Sequence, residues 1–254
     1  MISRRSKARD VPKAKAVRIL FIGNSLTYTE NMPGMLVGLA QAGGVNLEAT
    51  QHSPDGATLA AHAANPEVHK LLGAGNWDYV VLQEQSQRPA VREEHVRRDS
   101  DPGVATLARL ARAGSPRVTL LFYVHAAKRD GDPFHAASLP EVSTHDGMQQ
   151  RIDASYRRWA REQNGMIVPV GTVWRRVRTE RPDIELHSDD THPTRAGAYL
   201  IACMFYVTLF GQTPVGSSFN AGLDPAIATV LQQAALDAVK VENHPNVKLR
   251  PITT

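Results

Sequence analysis

Cysteine is nearly absent from this chain: Cys203 stands alone among 254 residues. That excludes an internal disulfide and leaves no Cys-x-x-Cys pair for zinc. Long apolar runs are scarce too. The longest strongly apolar stretch, Ala196 to Gly211, is uncharged but shorter than the roughly 20 residues a membrane helix needs, so it reads as a buried helix. No apolar segment accompanies the basic residues ahead of Val17. A complete secretory signal is therefore not visible, and the expected compartment is the cytoplasm, or an exported one if this N-terminus is shortened or mis-started. A strong charge of one sign is also missing. The formal balance is +4, and residues 1 to 15 carry Arg4, Arg5, Lys7, Arg9, Lys13 and Lys15 against Asp10, a net +5, which leaves −1 for everything else. The positive charge thus belongs to an N-terminal arm and does not argue for a nucleic-acid partner.

What is present is the composition of a globular protein. Hydrophobic residues make up 42% and charged residues 21%, which excludes disordered, collagen-like and coiled-coil classes. Short apolar runs alternate with helical patterns, the form that repeated βα units around a parallel sheet take in sequence. The expected strands are Val17 to Ile22, Val45 to Thr50, Tyr79 to Gln83, Val118 to Val124 and Met166 to Val170. Helices are expected over Met35 to Ala42, Val104 to Ala113 and Met148 to Gln163, followed by Pro193 to Phe210 and Pro225 to Val239. Gly43, Gly114 and Gly165 sit where helix C-caps belong. No repeat or low-complexity linker interrupts the pattern. The expected organisation is a flexible basic arm over 1–16, one three-layer α/β domain over 17–245, and a tail over 246–254. Gln85 to Asp101 and His125 to Asp146 read as irregular segments of the kind that form lids or binding surfaces.

In open parallel sheets ligands bind beyond the carboxyl ends of the strands. Gly23-Asn24-Ser25 follows the first strand, where Ser25 would stand at a strand-to-helix junction with its own N–H free for an oxyanion. The plain alternative is that Asn24 or Ser25 only caps the next helix. Near the other end lies Asp189-Asp190-Thr191-His192-Pro193. An acid three residues before a histidine can accept the imidazole Nδ1–H and leave Nε2 to take a proton from a serine. The same stretch can also be read as a solvated acidic turn, with Pro193 at the first helical position, or as a metal site formed by His187, Asp189, Asp190 and His192. Ser53-Pro54-Asp55-Gly56-Ala57 follows the second strand, and Gly56 there can bring a backbone N–H close to a substrate. After the third strand, amides emerge abruptly from an apolar run. Gln83 ends the run and is the expected oxyanion donor, with Gln85 as the alternative if the strand extends further. His125, after the fourth strand, should also open onto the crevice, whereas Trp77 and Trp174 read as packing residues.

These four places, in this order, resemble the SGNH hydrolase superfamily, the GDSL-like lipases and esterases. The phrases LFIGNSLT, WDYVVLQEQSQRP and HPTRAGAYLIACMFY are most similar to a bacterial branch of SGNH-like proteins. The resemblance runs from about Val17 to Gly211. It implies that Ser25 matches the nucleophile, Gly56 the oxyanion glycine, Asp189 the triad acid and His192 the base. The first block reads Gly-Asn-Ser rather than Gly-Asp-Ser. The third lacks Gly-x-Asn-Asp, and LQEQS is closer to the Gln-Gly-Glu-Ser stretch of carbohydrate acetylesterases in the same superfamily.

The expectation is therefore a flavodoxin-like α/β/α domain with five parallel strands that hydrolyses esters through an acyl-serine. Ser25, Asp189 and His192 would carry catalysis, and Ser25, Gly56 and Gln83 would form the oxyanion hole. No cofactor is required. The expected substrate is a small ester, with an acylated carbohydrate suggested by the third block, and neither a nucleic-acid partner nor a membrane span is expected. Two other readings remain open at this point: a metal-dependent hydrolase using the His187 to His192 cluster, and a non-catalytic carbohydrate-binding module on the same fold.

Overall fold

The computed structural model describes residues 16–241; the basic arm up to Lys15 and the tail 246–254 lie outside them. Five strands form one parallel sheet: β1 (Val17–Ile22), β2 (Leu47–His52), β3 (Tyr79–Leu82), β4 (Thr119–Tyr123) and β5 (Met166–Val168). Their spatial order is β2-β1-β3-β4-β5, and every pairing is parallel. This is the flavodoxin-like order, in which the chain first adds β2 on one side of β1 and then continues with β3 on the other. It leaves a crevice between the loops at the carboxyl ends of β1 and β3.

The central strands are apolar on both faces, as strands covered by helices on each side must be. Ile19 and Phe21 of β1 pack with α2 (Met32–Ala42), α9 (Val170–Glu180), α10 (Arg195–Phe210) and α11 (Pro225–Val241). Leu20 and Ile22 face the opposite layer, which includes α3 (Leu59–Ala64), α4 (Pro66–Gly73), α6 (Asp101–Gly114) and α8 (His145–Glu162). The apolar stretch Ala196 to Gly211 is indeed a buried helix, α10, whose Phe205 ring stacks edge-on against both Phe21 and Tyr123. Among the described residues, no helix is long and apolar enough to cross a membrane.

Several boundaries differ from expectation. Val45 closes the end of α2 by donating its N–H to Ala40 O at 2.8 Å, so β2 starts at Leu47 and runs on to His52. Strand β3 stops at Leu82, one residue before Gln83. The fifth strand ends at Val168, because Pro169 opens helix α9 rather than extending the sheet. Helices α3 and α4 were not foreseen, and neither was α5 (Glu93–Asp99) inside the segment read as irregular. All three are short; α3 and α4 start behind side-chain caps from Thr58 and Asn65. The segment 125–146 is mostly irregular, interrupted by the short α7 (Pro133–Ala136).

Candidate active site

The nucleophile turn is built by close approach. A Cβ on Gly23 would meet Thr27 Oγ1 at 2.3 Å and Gln83 Oε1 at 2.6 Å, so only glycine lets β1 end this tightly against its neighbours. Asn24 then caps α1 (Ser25–Tyr28) by accepting the Leu26 N–H at 3.2 Å, and its own amide donates to Ala57 O at 3.0 Å. Asn24 is thus both cap and brace: it ties the turn that presents Ser25 to the loop that carries Gly56.

The Asp189 to His192 segment is a tight turn closed by a bridge between His187 and Pro193. Ser188 N donates to His192 O at 2.9 Å, and Thr194 N to Leu186 O at 2.9 Å. Asp189 fills the turn. One carboxylate oxygen accepts the N–H groups of Thr191 and His192 at 2.6 and 2.7 Å, and the other accepts His192 Nδ1–H at 2.8 Å. Partial burial works against ionisation, but these donations outweigh it and hold the Asp189 carboxyl at about 2. Asp190 faces the other way, with Lys128 Nζ 3.3 Å from its carboxylate and the Arg129 N–H bonded to its carbonyl at 2.8 Å. Across 167 residues of sequence, Ser25 Oγ donates to His192 Nε2 at 2.9 Å. Serine, imidazole and carboxylate form one continuous hydrogen-bonded chain.

Gly56 lies in the loop after β2 with φ of +61°, and a Cβ there would meet nothing within 4 Å, so glycine serves the backbone at this position rather than close packing. Among the described residues, the N–H groups of Ser25 and Gly56 enter no hydrogen bond. Tyr28 Oη donates to Asp55 beside this glycine, a second tie between α1 and the loop.

Gln83 departs from expectation. Its side chain is fully buried and does not reach the crevice. Its Oε1 accepts the Asn24 N–H at 3.0 Å and the Thr27 hydroxyl at 2.9 Å, and its amide donates to Glu84 O. Its backbone N–H still donates to Ile22 O of β1 at 2.9 Å, which keeps Gln83 beside the end of β1, directly under the nucleophile turn. Gln85 lines the crevice. Its Oε1 accepts the N–H groups of Gln87 and Arg88 at 3.0 and 3.3 Å, which orients the amide, while Nε2 makes only a 3.3 Å contact with Ser86 Oγ.

His125 also departs from expectation. It is buried rather than open to the crevice, packed edge-on against Tyr123 and Tyr156, and burial lowers its pKa to about 4. The four residues considered for a metal do not converge. His187 is buried against Trp174 and donates Nε2–H to Ala127 O at 3.1 Å, while Asp190 pairs with Lys128. Among the described residues, no group of three His, Cys, Asp or Glu side chains could hold a metal ion. Trp77 and Trp174 are both buried, as packing residues should be. Sequence reasoning missed Glu84, Tyr28 and Lys128. A glutamate directly after an apolar strand was the available signal for the first, since a charge so placed must be either solvated or held.

The crevice around Ser25 and His192 has a volume of about 730 Å³. Its lining includes Asn24, Tyr28, Asp55, Gln85, Gln87 and Lys128, mostly hydroxyl, amide and charged groups.

No protein-family model and no curated protein matches the chain. Among solved structures, a DUF4886 family protein from Bacteroides uniformis shares the fold, with 18% identity over 93% of this chain and 98% of that one and a TM-score of 0.77. An acetylxylan esterase, Axe2 from Geobacillus stearothermophilus, superposes with a TM-score of 0.53 at 19% identity, covering 74% of this chain and 92% of the other. A candidate SGNH hydrolase from Slackia heliotrinireducens is 30% identical over 77% of this chain and the whole of its own length, with a TM-score of 0.62. With that identity over a complete relative, on this fold, the chain belongs to the SGNH hydrolase superfamily.

Proposed function

We propose that this protein is a serine-dependent ester hydrolase that works through an acyl-serine on short-chain esters of a carbohydrate or similar polyol. The observation that carries the mechanism is the 2.9 Å contact of Ser25 Oγ with His192 Nε2, continued at 2.8 Å to Asp189. Ser25 Oγ attacks the acyl carbon as His192 Nε2 takes its proton, and Asp189 holds the imidazole in the tautomer with Nδ1 protonated. Collapse of the tetrahedral intermediate breaks the bond to the alcohol, which leaves with the proton from His192. Water, deprotonated by the same nitrogen, then releases the acid and restores Ser25. The negative oxygen is received by the Ser25 and Gly56 N–H groups, with the Gln85 amide as third donor in place of Gln83. Support for a polyol alcohol comes from the hydroxyl, amide and charged side chains that stand around an open crevice and from the acetylxylan esterase among the structural neighbours.

A fluorophosphonate probe tests the nucleophile. It should attach to Ser25 and to nothing in Ser25→Ala, and failure of the folded wild-type protein to react would remove the acyl-serine route. Acetylated xylooligosaccharide and a long-chain aryl ester, compared in kcat/KM, test the substrate class; preference for the long chain would overturn it.

A further inference from the structure

Beside the crevice lies a carboxylate that the reaction does not use. Glu84 has no exposed surface, and burial raises its pKa. The hydroxyl of buried Ser100 and the N–H groups that the carboxylate accepts oppose that shift without cancelling it. Placing such a group out of water is costly unless its hydrogen bonds do something an apolar side chain could not. Those bonds are specific. Oε1 accepts two N–H groups, from Leu59 at 3.1 Å and from Gln85 at 2.7 Å. Leu59 opens α3, three residues beyond Gly56. Gln85 begins the crevice-lining stretch that continues through Ser86 and Gln87. The Glu84 backbone is itself held, since its N–H donates to the hydroxyl of buried Tyr156 in α8 at 2.8 Å. A single oxygen atom thus joins the loop after β2 to the loop after β3, with its own position set from the helical layer behind.

We propose that Glu84 is a positioning residue that sets the spacing between the Gly56 loop and the Gln85 segment, and through it the geometry of the oxyanion site. The inference rests on the ester-hydrolase reading for its functional consequence. Its structural content, that one acceptor orders two loops, stands apart from that reading. The adjacent Gln83 does the corresponding service for the nucleophile turn, through Asn24 N and Thr27 Oγ1. The pair closing β3 therefore orders three loops without itself touching the crevice. An oxyanion donor displaced by about 1 Å loses much of its effect on the transition state while leaving substrate binding largely alone.

Three substitutions separate acceptor, charge and reach. Glu84→Gln keeps an oxygen for both N–H groups and removes the charge; Glu84→Met removes the acceptor at similar bulk; Glu84→Asp keeps the charge and withdraws the acceptor by one methylene. With an aryl acetate, Glu84→Met and Glu84→Asp should lose about 30- to 100-fold in kcat with KM within about threefold, and Glu84→Gln should stay within about threefold of wild type in both. Hydrogen exchange supplies the readout that does not depend on turnover: the Leu59 and Gln85 amides should exchange about tenfold faster in Met and Asp variants, with β1 and β4 unchanged. If Glu84→Met does not fold, Glu84→Asp decides. Unchanged exchange at both amides, wild-type kcat in Glu84→Asp, or equal damage in Glu84→Gln would each overturn the proposal. A wild-type protein inactive on the ester and unreactive toward fluorophosphonate would defeat the hydrolase reading instead, while the exchange measurement would still decide whether Glu84 orders the loops.

Discussion

The turn from Asp189 to His192 and the segment from Gln83 to Gln87 meet at the same crevice but are organised by different means. In the turn, an acid and a histidine three residues apart satisfy each other, and the same carboxylate accepts the N–H groups of Thr191 and His192. Most of what defines its shape lies between Leu186 and Thr194, with the Arg129 N–H on Asp190 O as a tie from outside. In the segment, three side chains are held by distant groups, Gln83 by Asn24 and Thr27, Glu84 by Leu59, and Gln87 by Asp132 at 3.1 Å, while Gln85 is oriented locally by the Gln87 and Arg88 N–H groups. A local hydrogen-bonded motif carries its geometry wherever the chain goes. A segment built from long-range contacts takes its geometry only from the finished fold.

The comparison can be broken or sharpened by measurement. The largest expected effect is at the point where the turn meets the nucleophile: Ser25→Ala should retain its fold by circular dichroism and lose on the order of 10⁵ to 10⁶ in kcat. More than a tenth of wild-type turnover would take Ser25 out of the mechanism. Within the turn, Asp189→Asn should cost about 10⁴ in kcat, because an amide cannot accept from Nδ1 and both backbone N–H groups in the same way. Asp190→Asn should cost less than about tenfold, since that carboxylate is turned to Lys128 and makes no bond to the imidazole. Equal losses would mean that the turn is not the self-contained unit described.

In the segment, the expected effects divide by where each side chain points. Gln85→Ala should lower kcat by about 10² to 10³ with a small change in KM and melting temperature. Gln83→Ala should act chiefly on stability, by about 1–3 kcal/mol in urea denaturation, because it leaves the buried Asn24 N–H without an acceptor. The reverse pattern would restore Gln83 as the donor.

The last comparison is in pH: two buried histidines, one of them His187 in the bridge that closes the turn, make stability depend on pH. Burial lowers the pKa of His125 and of His187 to about 4, so each ring refuses a proton that the unfolded chain binds below the ordinary value of ~6.5. The folded state therefore loses stability as pH falls from about 6.5 toward 4, by on the order of 2 kcal/mol for each ring at pH 5. Urea midpoints at pH 7 and pH 5 check this; equal midpoints would show that the rings remain hydrated.

The alternating pattern of apolar runs and amphipathic stretches was enough to determine a parallel α/β sheet with its ligand crevice at the strand ends, because burial on both faces forces continuous apolar strands. The Gly-Asn-Ser turn and the Asp-x-x-His turn were legible for a related reason: caps, tight turns and i to i+3 pairs are decided by neighbours in the chain. Their meeting was not. Only the tertiary structure brings Ser25 to His192 across 167 residues, turns Gln83 inward under the nucleophile, folds His125 between two tyrosines and closes α2 onto Val45. Each of these was settled by which group stood nearby to accept a hydrogen bond or exclude water. Gln83 still donates its N–H to Ile22 O at 2.9 Å and so stays beside β1 under helices on both faces, and the chain reaches the crevice only at Gln85, once it has passed the end of the sheet.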